Sequence, residues 1–182
     1  MLLVEGGAVM NARTGGSGFT LVELMVTVAI VALLLKFVGW GLAGVTSYED
    51  VRTAARGLET VIQEAKTLAY EKGAVHSLIF LSDGRGYRLF RDDNANDNHT
   101  ESSDGNCRRE SDEPLLRSME LSSRISMSLP SSLPKNDDNQ TCLAFGSDGR
   151  LMNGQGGTVT FTGNFEAQAW VSINSMGWVH VD

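Results

Sequence analysis

The sequence predicts an α+β chain in which one long N-terminal helix lies against antiparallel β-sheet. Three observations carry this. The first 113 of the 182 residues contain no proline, so nothing there forbids a long uninterrupted helix. Residues 49–72 place Val51, Ala54, Ala55, Leu58, Val61, Ile62, Ala65, Leu68 and Ala69 at spacings of three and four, the pattern of an amphipathic helix. Beyond Gly73, a fitting C-cap after Lys72, short apolar runs alternate with turn residues, as strands do.

The composition bounds the rest. At 182 residues and 42% apolar the chain is long enough for one domain with a sizeable core and too short for two ordinary ones. A net charge of −7, from 22 acidic and 15 basic residues, argues against a protein built to grip nucleic-acid phosphates.

The helix has two halves of different character. Residues 24–35 read LMVTVAIVALLL, with Thr27 the single non-apolar member, and apolar residues continue past Lys36 to Val45. The 27 residues from Phe19 to Val45 make about 40 Å of helix, enough to cross a hydrocarbon core of about 30 Å. A secretory signal peptide is the first alternative, but no A-x-A-like site follows Leu35, so a retained membrane helix is expected. Charge gives little help with orientation, because Arg13 lies on one side and Lys36, Arg52 and Arg56 on the other.

Glu23 is the anomaly in this run. One reading places it at headgroup level as an early-turn acid favoured by the helix dipole. The other places it deeper, where a charge costs about 2.5 to 3.5 kcal/mol and needs a partner. No basic residue of the helix can serve locally.

The stretch Gly18-Phe19-Thr20-Leu21-Val22-Glu23-Leu24 resembles the cleavage and methylation site of type IV pilins and type II secretion pseudopilins. The resemblance implies that a prepilin peptidase cuts after Gly18 and that Phe19 becomes an N-methylated terminus. Glu23 is then the fifth mature residue, paired with the terminal amine of a neighbouring subunit. The leader departs from the short, basic family pattern, since residues 1–18 hold one Arg and one Glu. A start at Met10 would leave MNARTGGSG, with Arg13 its single charge, and Met10 is the expected true start.

The expected organisation is a leader at 1–18, a membrane helix at 19–45, its amphipathic continuation at 46–72 and a periplasmic β domain at 73–182. Gly39, Gly41 and Gly44 spell a literal G-x-G-x-x-G, but it lies inside an apolar helical run and not between strand and helix, so it is no dinucleotide site. Each glycine inside a helix costs about 0.8 to 1 kcal/mol relative to Ala, which makes this stretch locally weak and able to stretch or melt during filament packing.

In the β domain, strands are expected at 75–81, 86–90, 115–121, 125–129, 141–145, 158–162, 169–173 and 178–181. The quartet Ser-Asp-Gly-Arg occurs twice, at 82–85 and 147–150, as a hairpin signal. The element order is similar to that of the H-type minor pseudopilins and of related minor pilins. Two anchors carry the likeness: Leu89-Phe90-Arg91-Asp92-Asp93-Asn94-Ala95-Asn96 followed later by Glu113-Pro114-Leu115-Leu116-Arg117, and the closing hairpin at 171–181.

Residues 92–113 hold eight acidic residues against Arg108 and Arg109. Asp92, Asn94 and Asn96 have the alternate spacing of a calcium loop, yet Asp97 stands where glycine belongs and Ser103 where a glutamate belongs. The expectation is a solvated acidic loop with no metal. Cys107 and Cys142 are the two cysteines; in the oxidising periplasm that the resemblance implies, they are expected to pair.

His76, His99 and His180 are isolated, and no zinc-protease, nucleophile-elbow or phosphate-loop motif is present, so neither an enzyme nor a cofactor is expected. Some relatives carry G-R-x-R on the last strand for DNA, but Gly177-Trp178-Val179-His180 lacks both arginines and no nucleic-acid partner is expected. The implied partners are other pilin or pseudopilin subunits, the prepilin peptidase, the inner-membrane assembly platform and membrane lipid. The implied role is a minor pseudopilin of a type II secretion pseudopilus, with a minor pilin of a type IV pilus as the alternative.

Overall fold

The structure, a computed structural model, describes residues 19–92, 106–109, 113–152 and 154–182, with the backbone alone for 39–43. Helix α1 runs Leu21–Lys72, and Gly73 ends it in the left-handed region (φ 62°), a conformation that costs glycine nothing. Two compact units divide between Trp40 and Gly41. In the first, every described side chain of α1 is exposed.

In the second unit the helix buries one stripe. Val51, Ala55, Leu58, Ile62, Ala65 and Ala69 are almost wholly buried, at the three-and-four spacing that the sequence carries. Two antiparallel sheets complete the core. The first has strand order β3-β2-β1-β5, from β1 His76–Phe80, β2 Gly86–Arg91, β3 Leu115–Glu120 and β5 Cys142–Phe145. The second has order β4-β6-β7-β8, from β4 Ser126–Ser128, β6 Gly157–Thr162, β7 Gln168–Ile173 and β8 Val179–Val181. All eight expected strands are present, within a few residues of the expected ends.

Strand alternation assigns the faces. Leu78, Phe80, Tyr87, Leu89, Leu143 and Phe145 of the first sheet share one core with the helix stripe and with Val159, Phe161, Ala169, Val171 and Ile173 of the second. On the other face of the first sheet, Cys142 and Ala144 join Val75 and Cys107 in a small cluster of their own. Fully burying a side chain of the Leu or Phe class contributes roughly 1.5 to 3 kcal/mol, so the shared core dominates the stability.

The two Ser-Asp-Gly-Arg quartets fold alike. In each, the Asp Oδ1 accepts from the Arg amide two residues on (2.9 Å at Asp83, 3.0 Å at Asp148) and the glycine is left-handed (φ 66° and 72°). The first joins β1 to β2; the second joins β5 to a single bridge at Leu151.

One strand stands apart, and one expectation needs correction. Strand β3 is exposed along its whole length, Leu115, Leu116 and Met119 included, because it is the sheet edge and has a neighbour on one side only. It is tied to the helix by Arg117, whose guanidinium holds both Glu64 oxygens (2.8 and 3.0 Å). The acidic loop is not solvated at its ends either: Asp92 and Glu113 are buried. Composition predicts a solvated carboxylate there, but each end adjoins a strand, and buried donors receive Asp92.

Candidate processing and assembly site

The start of α1 is a built terminus. Thr20 is its N-cap: the Thr20 hydroxyl accepts from the Glu23 amide (3.2 Å), and its carbonyl accepts from the Leu24 amide (3.1 Å). With Thr at N-cap and Glu at the third helical position, Thr20 to Glu23 has the sequence of a capping box. Glu23 thus lies in the first turn, where the helix dipole favours an anion. Its side chain is exposed, and among the described residues no cation pairs with it. Around it Phe19, Leu21, Val22 and Leu24 are all exposed.

From Leu21 to Val38 the helix has a mean hydropathy of 2.5 and none of it is buried. The one hydroxyl in this stretch is satisfied within the helix, Thr27 Oγ1 donating to the Leu24 carbonyl (2.8 Å), as a polar group in an apolar setting requires. An apolar helix of this length with no protein cover has the form of a membrane anchor. Gly18, the expected cleavage residue, lies outside the described residues, as do Met10 and the rest of the leader.

The cysteines meet. Cys107 and Cys142 form a disulfide, with Cα atoms 6.1 Å apart, and both are buried. Three hydrogen bonds fix the Cys107 side of it. The Cys107 amide donates to Asp92 Oδ2 (2.9 Å), the Ser77 hydroxyl donates to the same oxygen, and Asn136 Nδ2 donates to the Cys107 carbonyl (2.9 Å). Cys107 itself is left-handed (φ 58°). Asp92 is therefore the base of a clasp that closes residues 106–109 over the sheet. Sequence reasoning missed it, because an Asp followed by Asp-Asn-Ala-Asn reads as the start of a wet loop; the usable signal was a Ser on the facing strand. The other members of the calcium pattern, Asn94, Asn96, Asp97 and Ser103, lie outside the described residues.

The remaining candidates are dispersed. His76 is buried in β1 with Nδ1 2.9 Å from the Ala74 carbonyl, His180 is exposed 3.0 Å from Asp182, and His99 lies outside the described residues. Trp178 carries the Lys66 ammonium over its ring (4.6 Å), and partial burial pushes that ammonium below its usual pKa. A cation over an aromatic face is an intramolecular contact of ordinary strength. Among the described residues no three His, Cys, Asp or Glu side chains gather as a metal site.

The family model described as "Type II transport protein GspH" matches residues 54–177, and the model for the prokaryotic N-terminal methylation motif matches residues 14–35. The chain belongs to the GspH family. It is a pseudopilin-type subunit of type II secretion, a structural class whose members assemble with other pilin subunits into filaments. Its apolar N-terminal helix fits anchoring in the inner membrane. Among solved structures, the type IV minor pilin FimU of Pseudomonas aeruginosa is similar at a TM-score of 0.51 and 17% identity, over 74% of this chain and 89% of that one. The minor pseudopilin EpsH of Vibrio cholerae is similar at a TM-score of 0.51 and 10% identity, over 73% of this chain and 96% of that one. At these identities the likeness is one of fold. No curated protein matches the sequence.

Proposed function

We propose that this chain is made with a leader ending at Gly18, cut there by a prepilin peptidase and N-methylated at Phe19. It then enters a type II secretion pseudopilus as a minor subunit. Residues 19–45 hold it in the inner membrane, and 46–182, the helix continuation and the β domain, face the periplasm. The assembly platform extracts the processed helix and packs it against the helices of other subunits. The role asks for no catalysis and no cofactor.

One observation carries the reading: a single carboxylate, Glu23, in the first turn of an apolar stretch, Leu21–Val38, that is exposed throughout, with no cation paired to it among the described residues. A neighbouring subunit's Phe19 amine supplies that cation. In low dielectric the pair serves less as net stability than as a register device, because an unpaired Glu23 is costly at every other axial offset.

Glu23→Val tests this. Processing at Gly18, read as a mass loss, should continue, while incorporation into filaments should fall steeply. Normal incorporation of the variant would sink the mechanism. The reading as a minor pilin of a type IV pilus rests on the likeness to FimU, which is one of fold, whereas the family match favours secretion. A deletion strain that secretes normally but loses pilus retraction would reverse that order.

A further inference from the structure

The turn Asn164–Glu166 is costly. Phe165 and Glu166 are both left-handed (φ 54° and 58°), a region that non-glycine residues avoid. The Phe165 side chain that this backbone presents is 65% exposed, so the strain is not offset by burying the ring. Strain of this kind persists where the surroundings enforce it, and it concentrates at functional places.

Here the surroundings are α1. Ser47 Oγ donates to the Asn164 carbonyl (2.7 Å), and the Gly163 amide donates to the Ala167 carbonyl (2.8 Å). Gly163 lies so near the helix that a Cβ on it would run into Val51 Cγ2. The fold therefore holds a bare phenylalanine against residues 46–50 of the helix.

Those residues are the first beyond the apolar segment. Val45 is 62% exposed and Tyr48, three residues on and so on the same helix face, is 48% exposed. Arg124 lines one cleft with Thr46, Ser47, Asp50, Asn164 and Phe165. The segment from Phe19 to Val45 is 27 residues, enough as helix to cross the bilayer core of about 30 Å, so residues 46–50 follow directly on its end. Ser47 therefore follows the apolar segment directly in sequence, and the turn it holds is tethered within a few residues of the membrane surface. Aromatic side chains concentrate at that depth, and a guanidinium there meets lipid phosphate.

We propose that Phe165, with Tyr48 and Arg124, is a membrane-interface contact that seats the soluble domain on the headgroup layer before the subunit is drawn into a filament. This rests on the reading of residues 19–45 as a membrane anchor. The test uses the full chain reconstituted in vesicles of phosphatidylethanolamine and phosphatidylglycerol. Phe165→Trp is compared with Tyr70→Trp, a substitution at an exposed residue near the far end of α1. The emission added over wild type should be blue-shifted for Phe165→Trp and quenched about twofold by lipid spin-labelled near the headgroup, as an interfacial side chain is. The emission added by Tyr70→Trp should be quenched by aqueous iodide and not by the labelled lipid. If the protein floats with the vesicles but the Phe165→Trp emission behaves like that of Tyr70→Trp, the contact is refuted and the anchor stands. Shielding from iodide without lipid quenching also refutes it, assigning the tip to another protein subunit. Failure to float with vesicles overturns the anchor and this contact together.

Discussion

Replacing Asp92 by Ala should be among the most damaging single changes outside the main core. The carboxylate is fully buried and accepts from the Ser77 hydroxyl and the Cys107 amide. A hydrogen bond to a charged group contributes about 1.5 to 3 kcal/mol, and both donors would be left buried. The expected loss is about 3 to 5 kcal/mol, roughly two such bonds. Urea denaturation of the detergent-solubilised chain, followed by near-ultraviolet circular dichroism, measures it. With a slope of about 2 kcal/mol per molar urea, the midpoint should fall by roughly 2 M. Ser77→Ala supplies the scale: it removes one donor and leaves the carboxylate on Cys107, so it should cost about 1 to 2 kcal/mol. Asp92→Ala within about 0.5 kcal/mol of wild type, the range of an ordinary surface substitution, would refute the clasp. So would Ser77→Ala costing as much as Asp92→Ala, because the charge would then carry nothing.

Cys107→Ser should destabilise the chain by about 3 to 4 kcal/mol through lost loop closure; unchanged mobility on a nonreducing gel would show that no disulfide was there to lose. Burial pushes the Tyr87 phenol up to about 12, against the opposing pull of Arg117, so the fold holds it neutral. The raised folded value means full stability below about pH 10 and loss as pH climbs toward 12, about 1.4 kcal/mol by pH 11. Tyr87→Phe should flatten that part of the urea-midpoint profile, and an identical alkaline slope in the variant would remove the phenol from the account. Changing Gly39, Gly41 and Gly44 together to Ala should raise helicity there and impair filament packing; assembly at the wild-type level would show that the weak stretch is not used.

The local structure was legible because its causes are local. The helix stripe, the Gly73 cap and the strand positions follow from side-chain period and turn chemistry, and each is present. The identical quartets at 82–85 and 147–150 even share their hydrogen bonds. Pairing was not legible. That β1 lies between β2 and β5, or that β4 leaves the first sheet for β6, depends on contacts far apart in sequence. The burial of Asp92 was hidden for the same reason: its donors are 15 residues away in each direction. At the site, Thr20 to Glu23 was readable as a motif, whereas the seat of Phe165 on Ser47 spans 117 positions and no pattern announces it.

The Arg117 to Glu64 tie has a meaning beyond holding β3 in place. A chain confined to a membrane surface meets its own copies at high density while it waits to be used. An exposed edge strand carrying Leu115, Leu116 and Met119 is, in such a crowd, a template for unwanted strand exchange and aggregation. Clipping the middle of that strand to the helix, with Pro114 just ahead of it and Glu120 at its end, leaves an incoming strand a pinned and charged edge. The same fork that fastens the sheet also blunts its open edge against a second copy.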